Sequence, residues 1–529
     1  MTERRTTART SSVVCTLGYS LKQVLREPAH SRGGEPLPSS LSARVSIHGI
    51  SAKYWASKAL KQSRSSAPET LCAWATLYGE LFNDAYTSIR SMLISIELKN
   101  FKSYERASLP LSAMTFLIGA NASGKSNVLE AIRLLNWLAK GSRLDDITRS
   151  IQSGDAVVRG QANDLLRDPL VSFSLGGRFE SMPQGWGKFE ISIGLVADQL
   201  VVTAESVAKP GEAVPLYQVD GLPNTHTDEI SVAYNNFKRG RNKPHIPCSN
   251  RQAIFYQLET PGRFESGHQD SQRVIPAVTK AIRETLRNVV FLDPRPALMR
   301  DYAYVKDDLI KEDGSNLSAV LYQISQTSAQ KTKLLAFIKS LPEQDITDID
   351  FIKTDRNDVM VRLVESFGQK SRTVDAPLLS DGTLRVLAIG AALLTAPVGA
   401  LVIIEEIDNG VHPSRAETLV RQLQAIASER GLRVLLTSHN PALLDALPDS
   451  ALADVVACYR DPEEGDSRLV RLGDLDRYPE LAAQGPLGQL MTRRVLDRFL
   501  KDSTTPEDRK SEALDWLNEL RQSTQGGGE

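Results

Sequence analysis

From residue 92 to 98 the apolar positions recur every second residue, the spacing of a half-buried strand. Ile94, Ile96 and Leu98 fall on one face, a turn is expected around 100–103, and a second strand covers 106–111. The run 114–118 is almost wholly apolar, the pattern of a strand buried on both faces. Over 128–138 (VLEAIRLLNWL) the period lengthens to that of a helix. Strand spacing returns at 171–179, 188–196, 200–204 and 215–219, predicting a meander that extends the first sheet. Residues 222–270, rich in Asn, His, Gly, Pro and charge, read as loops. Helical blocks at 274–287 and 316–341 enclose a buried strand at 288–292, and strands follow at 346–353 and 359–365. A helix over 384–396, a strand at 400–404, a helix to about 430 and a strand at 433–436 close the regular part. No heptad is sustained and no internal repeat is visible, so no long coiled-coil arm is expected. The alternation of strands and helices predicts an α/β fold with a mostly parallel core sheet flanked by helices.

One apolar stretch imitates a membrane span, because residues 386–404 carry no charge. Pro397 and Gly399 divide it into a helical half and a strand half, and a buried helix–turn–strand is the expected outcome. The length of 529 residues allows two or three domains. A formal net charge of −1 argues neither for nor against a polyanionic partner. The densest basic cluster, 238–243, reads as a solvated loop or as a phosphate contact. Cys15, Cys72, Cys248 and Cys458 are too scattered for a zinc site or a disulfide framework, which suits a reducing cytoplasm. Residues 1–91 hold 12 Lys and Arg against 6 Asp and Glu, with poor apolar periodicity. They are expected to be a disordered extension, or an over-extended start with Met92 as the initiator.

The chemistry concentrates at 119–127, GANASGKSN, which fits G-x-x-x-x-G-K-[ST] between a strand and a helix. Gly119 and Gly124 let the backbone curl until successive N–H groups face phosphate oxygens. Lys125 can reach the β- and γ-phosphates, Ser126 can ligate Mg²⁺, and the following helix contributes its positive end. Far downstream, the strand at 400–404 delivers Glu405 and Glu406 to the sheet edge where α/β folds bind ligands. One acid can hold the Mg²⁺ shell while the other polarises a water. His439, after the next strand, stands at the same edge and can donate to a phosphate oxygen.

With this loop, LSDGT at 379–383, IIEEIDNGVHP at 403–413 and LLTSHNP at 435–441, the chain resembles the ABC-type ATPases of the SMC/RecF class. More closely, it looks like the bacterial stand-alone AAA-labelled members. The likeness covers about 92–449 and includes the opening LKNFKSY, Asn121 and the Ser126-Asn127 pair. It implies a P-loop fold of ABC/RecF type with a β-rich and helical insert between Walker A and the signature. Gly119, Asn121, Ser123, Gly124, Lys125, Ser126 and Asn127 would bind ATP, with Ser126 and Glu405 on Mg²⁺. Glu406 would be the catalytic base, with Lys125 and the switch histidine His439 beside it. Ser380 and Gly382 resemble the signature loop that completes a partner's site, which implies an ATP-dependent homodimer. Asp381 departs from the usual second Gly, Glu405 from the usual Asp, and His412 from a D-loop acid. The clearest Q-loop candidate is 157–161.

The resemblance implies a lobe at 92–205, an insert at 206–375, the remaining motifs at 376–449, a cap at 450–502 and a disordered tail at 503–529. Beyond His439 no Glu and Asp-x-Asp pair of the TOPRIM type stands on a strand end, so no nuclease domain is expected here. DNA, or a separately encoded effector such as a nuclease, would be the readout, in repair or anti-phage defence. Two competing readings are an energising subunit of a membrane transporter and an ATP-sensing scaffold with little turnover.

Overall fold

The computed structural model describes residues 91–147, 157–167, 172–221, 227–240, 242–339, 346–367, 370–409, 416–501, 511 and 514–517. The expectations for the chain before Ser91 and for most of 503–529 lie outside the described residues.

Among these residues three sheets form. The first is antiparallel: β1 (Met92–Phe101), β2 (Tyr104–Pro110), β4 (Ser172–Glu180), β5 (Lys188–Val196), β6 (Gln199–Ala208), β7 (Tyr217–Val219), β8 (Glu229–Tyr234) and β9 (His245–Ser249), in the order β2-β1-β4-β5-β6-β7-β8-β9. The meander therefore extends the first sheet, as the spacing predicts. It also continues past residue 205, which falls inside β6, into the stretch expected to be loops. β8 alternates exposed and buried positions only over its first four residues, too short a signal to stand out in a polar segment. A register shift between Leu93 and Ser95 gives β1 a bulge. Leu93, Ile96 and Leu98 are buried as a result, while Ile94 is only half-buried.

The second sheet carries the site. Its order is β10 (Val290–Leu292), β15 (Leu401–Ile404), β16 (Arg433–Thr437), β3 (Met114–Ile118), β17 (Val455–Arg460) and β18 (Ser467–Arg471). All neighbours are parallel except β18. The sheet that holds the phosphate loop thus runs past the boundary expected at Asp449. Its inner strands β3, β15 and β16 are mostly apolar and buried because both faces are covered. Leu117, Ile403, Leu435 and Val456 enter one core, and Phe116, Ile118, Ile404 and Leu436 enter the other.

Helices α1 (Lys125–Ala139) and α2 (Gln269–Arg287) pack into the first core, between the two sheets. The second core holds α3 (Leu317–Ser325), α4 (Ser328–Lys339), α5 (Asp381–Thr395) and α6 (Ala416–Arg430). The block expected as one helix at 316–341 is broken between α3 and α4 at Gln326-Thr327. A third, antiparallel sheet joins β11 (Ala303–Tyr304), β12 (Ile346–Lys353), β13 (Asp358–Phe367) and β14 (Lys370–Asp375). The uncharged stretch at 386–404 becomes the later part of α5, a turn and β15, nearly all buried. No described helix is long and apolar enough to cross a membrane.

Candidate nucleotide-binding site

Every residue of β3 is buried, and the chain turns sharply at its end. Gly119 adopts φ +150°, and a Cβ there would stand 2.2 Å from the Cys458 carbonyl oxygen. Gly124 adopts φ +121°, and a Cβ would meet Ser467 Oγ at 2.4 Å. Both glycines are required by conformation and by space. Asn127 N–H and Val128 N–H donate to Gly124 O at 2.9 and 3.3 Å, which starts α1 inside the loop.

Lys125 Nζ folds back over the loop and donates to Gly119 O (2.6 Å) and Ala120 O (3.0 Å). Burial lowers its pKa below the ordinary lysine value, against the pull of Cys458 and Glu406. Lys125 and Glu406, 281 positions apart, are therefore within electrostatic reach. Ser126 and Asn121 are exposed. Ser123 is buried, and its Oγ has no hydrogen-bond partner among the described residues. The Asn127 amide donates to Ser103 Oγ at 2.8 Å, tying the helix start to the β1–β2 turn.

The loop is braced by residues whose role the sequence does not announce. Ser467 Oγ and Cys458 Sγ donate to Ser123 O at 2.6 and 3.3 Å. Tyr104 OH donates to Gly124 O at 3.1 Å, and Arg460 Nε to Ala122 O at 3.2 Å. Burial raises the Cys458 thiol above its ordinary range, so it serves as a neutral brace. The apolar run 455–458 is the signal that would have revealed β17, and through it the support of the loop.

At the end of β15, Glu405 N–H donates to Leu292 O (2.9 Å), and Arg133 Nη2 of α1 donates to Glu405 Oε1 (2.6 Å). Burial raises the Glu405 carboxyl, Arg133 opposes that, and Asp293 and Glu312 add to it. Glu406 is exposed at φ +46°. Its N–H donates to Thr437 Oγ1 (2.9 Å), and its Oε2 accepts from the Asn409 amide. Thr437 ends β16, so the same residue that fixes Glu406 leads directly into Ser438 and His439. His439 is exposed at this edge.

Ser380 caps α5: its Oγ accepts from Thr383 N–H at 3.1 Å. Arg300 Nη2 donates to Leu379 O (3.0 Å) and Asp381 Oδ1 (2.6 Å), which gives the departure at Asp381 a partner. No described contact joins Ser380 or Gly382 to the phosphate loop of the same chain. The Q-loop candidate touches α1 instead, where Arg159 and Lys102 both pair with Glu130. His412 lies outside the described residues.

Ser126, Glu405 and Glu406 offer hard oxygen donors, the chemistry that Mg²⁺ prefers. Among the described residues no group of three His, Cys, Asp or Glu forms a ready-made metal cage. The donors fit an ion completed by phosphate oxygens and water.

Two families match the chain: "AAA ATPase domain" over residues 92–159, and "AAA domain, putative AbiEii toxin, Type IV TA system" over 265–445. The DNA replication and repair protein RecF of Caulobacter sp. (strain K31) is 45% identical over 76 residues, 14% of this chain and 19% of that protein. RecF of Picosynechococcus sp. (strain ATCC 27264 / PCC 7002 / PR-6) is 42% identical over 92 residues, 16% of this chain and 24% of that protein. The chain thus matches only about a fifth of the length of these relatives. A solved SmcHead bound to the C-winged helix domain of ScpA covers 72% of this chain and 97% of its own, at 14% identity and TM-score 0.39. The sequence matches, with the strand–loop–helix geometry of the phosphate loop, support a P-loop ATPase of the RecF/SMC class.

Proposed function

We propose that this chain binds ATP with Mg²⁺, hydrolyses it, and uses the nucleotide to close and reopen a homodimer in the cytoplasm, in DNA repair or anti-phage defence. The observation that carries the reading is the placing of a loop shaped by Gly119 and Gly124 and of the acids Glu405 and Glu406 after two parallel strands, β3 and β15, that flank β16 in one sheet.

The roles follow from position. Backbone N–H groups of 120–126, with Asn121, Ser123 and Asn127 framing them, cradle the phosphates. Lys125 exchanges its two carbonyl partners for phosphate oxygens, a gain for a cation already partly desolvated. Bound Mg²⁺ would sit against Ser126 and Glu405 and neutralise β- and γ-phosphate charge. Glu406 accepts a proton as water oxygen bonds to the γ-phosphorus and the bond to the β-phosphate oxygen breaks. His439 donates to a γ-phosphate oxygen from the neighbouring strand. Ser380 and Gly382, which make no described contact with their own phosphate loop, complete the site of a second copy. DNA or a separately encoded effector such as a nuclease reads the dimer state.

Phosphate release and ATP binding, measured on the wild type and two variants, test this. Lys125→Ala is expected to lose ATP binding, because phosphate charge is left uncompensated. Glu406→Gln is expected to bind ATP normally and turn over about 10²–10⁴-fold more slowly, the usual contribution of a positioned base. Wild-type turnover in Glu406→Gln would remove Glu406 from the chemistry.

A further inference from the structure

Arg133 lies two turns beyond Ser126 on the same face of α1, about 10 Å further along the helix. Its guanidinium is held from three directions. Nη2 donates to Glu405 Oε1 at 2.6 Å, and Nη1 pairs with Glu312 Oε1 at 2.5 Å. The third contact is the Phe291 ring, whose centre is 4.5 Å from the guanidinium carbon. These anchors come from three places: the end of β15, the segment beside Asp293, and β10. Only 21% of the Arg133 side chain is exposed, so the fork is fixed rather than sampling solvent. A planar guanidinium suits two carboxylates and a ring face together, which a lysine ammonium does not.

Arg133 is the hydrogen-bond partner of the Glu405 carboxylate among the described residues, and it engages Oε1. We propose that Arg133 is the positioning residue of the metal-side acid: it fixes Glu405 through one oxygen and leaves the other for the shell of a divalent cation. The proposal rests on the ATP reading above. It also accounts for glutamate at position 405. An aspartate, one methylene shorter, would draw the carboxylate back from the Arg133 guanidinium that Glu405 Oε1 meets at 2.6 Å. Glu312 and Phe291 then serve to hold the arginine, with no contact to the nucleotide.

The test is the binding of a fluorescent ATP analogue to the full chain, titrated with Mg²⁺ and repeated in excess EDTA. Arg133→Met and Glu405→Asp are each expected to raise the Mg²⁺ concentration for half-maximal effect by about tenfold or more, the usual consequence of losing a supporting partner. Arg133→Lys should fall between them and the wild type, and affinity in EDTA should not change. Wild-type Mg²⁺ dependence in folded Arg133→Met and Glu405→Asp overturns the proposal. An equal loss in EDTA marks a merely structural arginine and overturns it too. If Arg133→Met does not fold, Glu405→Asp decides alone. A wild-type chain that binds no analogue under either condition instead overturns the ATP reading, and the proposal with it.

Discussion

Gly119 and Gly124 are both confined, but by different walls. A Cβ on Gly119 would press into the Cys458 backbone, whereas one on Gly124 would press into the Ser467 side chain. Side chains can give way and a paired strand cannot, and the positive φ adds strain in either case. Gly119→Ala is therefore expected to cost about 1–3 kcal/mol or more and to weaken ATP binding, with Gly124→Ala milder in stability. Chemical denaturation of both variants checks the order. The sequence motif names these glycines, but only the fold supplies their walls, because Cys458 and Ser467 stand more than 300 positions away. The same distance hides Arg133: nothing in VLEAIRLLNWL marks that arginine as the partner of an acid at 405.

At the scale of elements, long runs were legible and short ones were not. The helix–turn–strand at 386–404 follows from one proline and one glycine in an apolar stretch. β8, β9 and β14 are short, lie in polar stretches, and owe their form to the neighbours they pair with. The β1 bulge cannot be read from alternation at all, since it is set by pairing with β4. Glu205 ties the meander firmly to the segment after β9. It is buried on β6 and accepts from Tyr217 OH (2.7 Å) and from Ile254 and Phe255 N–H (2.7 and 2.6 Å), the start of a short helix. Burial pushes its carboxyl up to about 7, against those three donors. A folded-state value above the unfolded one means a stabilising contribution that is complete below the ordinary glutamate range and is lost as pH rises through about 7. Urea melts at pH 5 and pH 7.5 should show the wild type losing stability on this account, with a flatter dependence in Glu205→Gln. Equal slopes would contradict the shift.

Across the whole molecule, the site gathers at the ends of three neighbouring interior strands of one sheet, β15, β16 and β3. The phosphate loop follows β3, the acids follow β15, His439 follows β16, and Ser380 caps α5 in the second core. Arg385, one turn into α5, is felt at Asp293 just after β10, the edge strand three places from β3. Ser380 and Asp381 are exposed at the start of α5, and under the proposed homodimer a second copy is the partner that would use them. Mixing Lys125→Ala with Ser380→Arg tests that arrangement. Each variant alone should release little phosphate, while the mixture regains part of the activity through a site made from the intact loop of one and the intact signature of the other. Absence of any regain would argue for a site complete within one chain. The most direct measurement is the molar mass of Glu406→Gln by light scattering, with and without saturating ATP and Mg²⁺. Glu406→Gln is expected to be a monomer that doubles in mass with ATP, and the Lys125→Ala control to keep the monomer mass. A Glu406→Gln chain that binds ATP yet keeps the monomer mass would contradict the proposed homodimer.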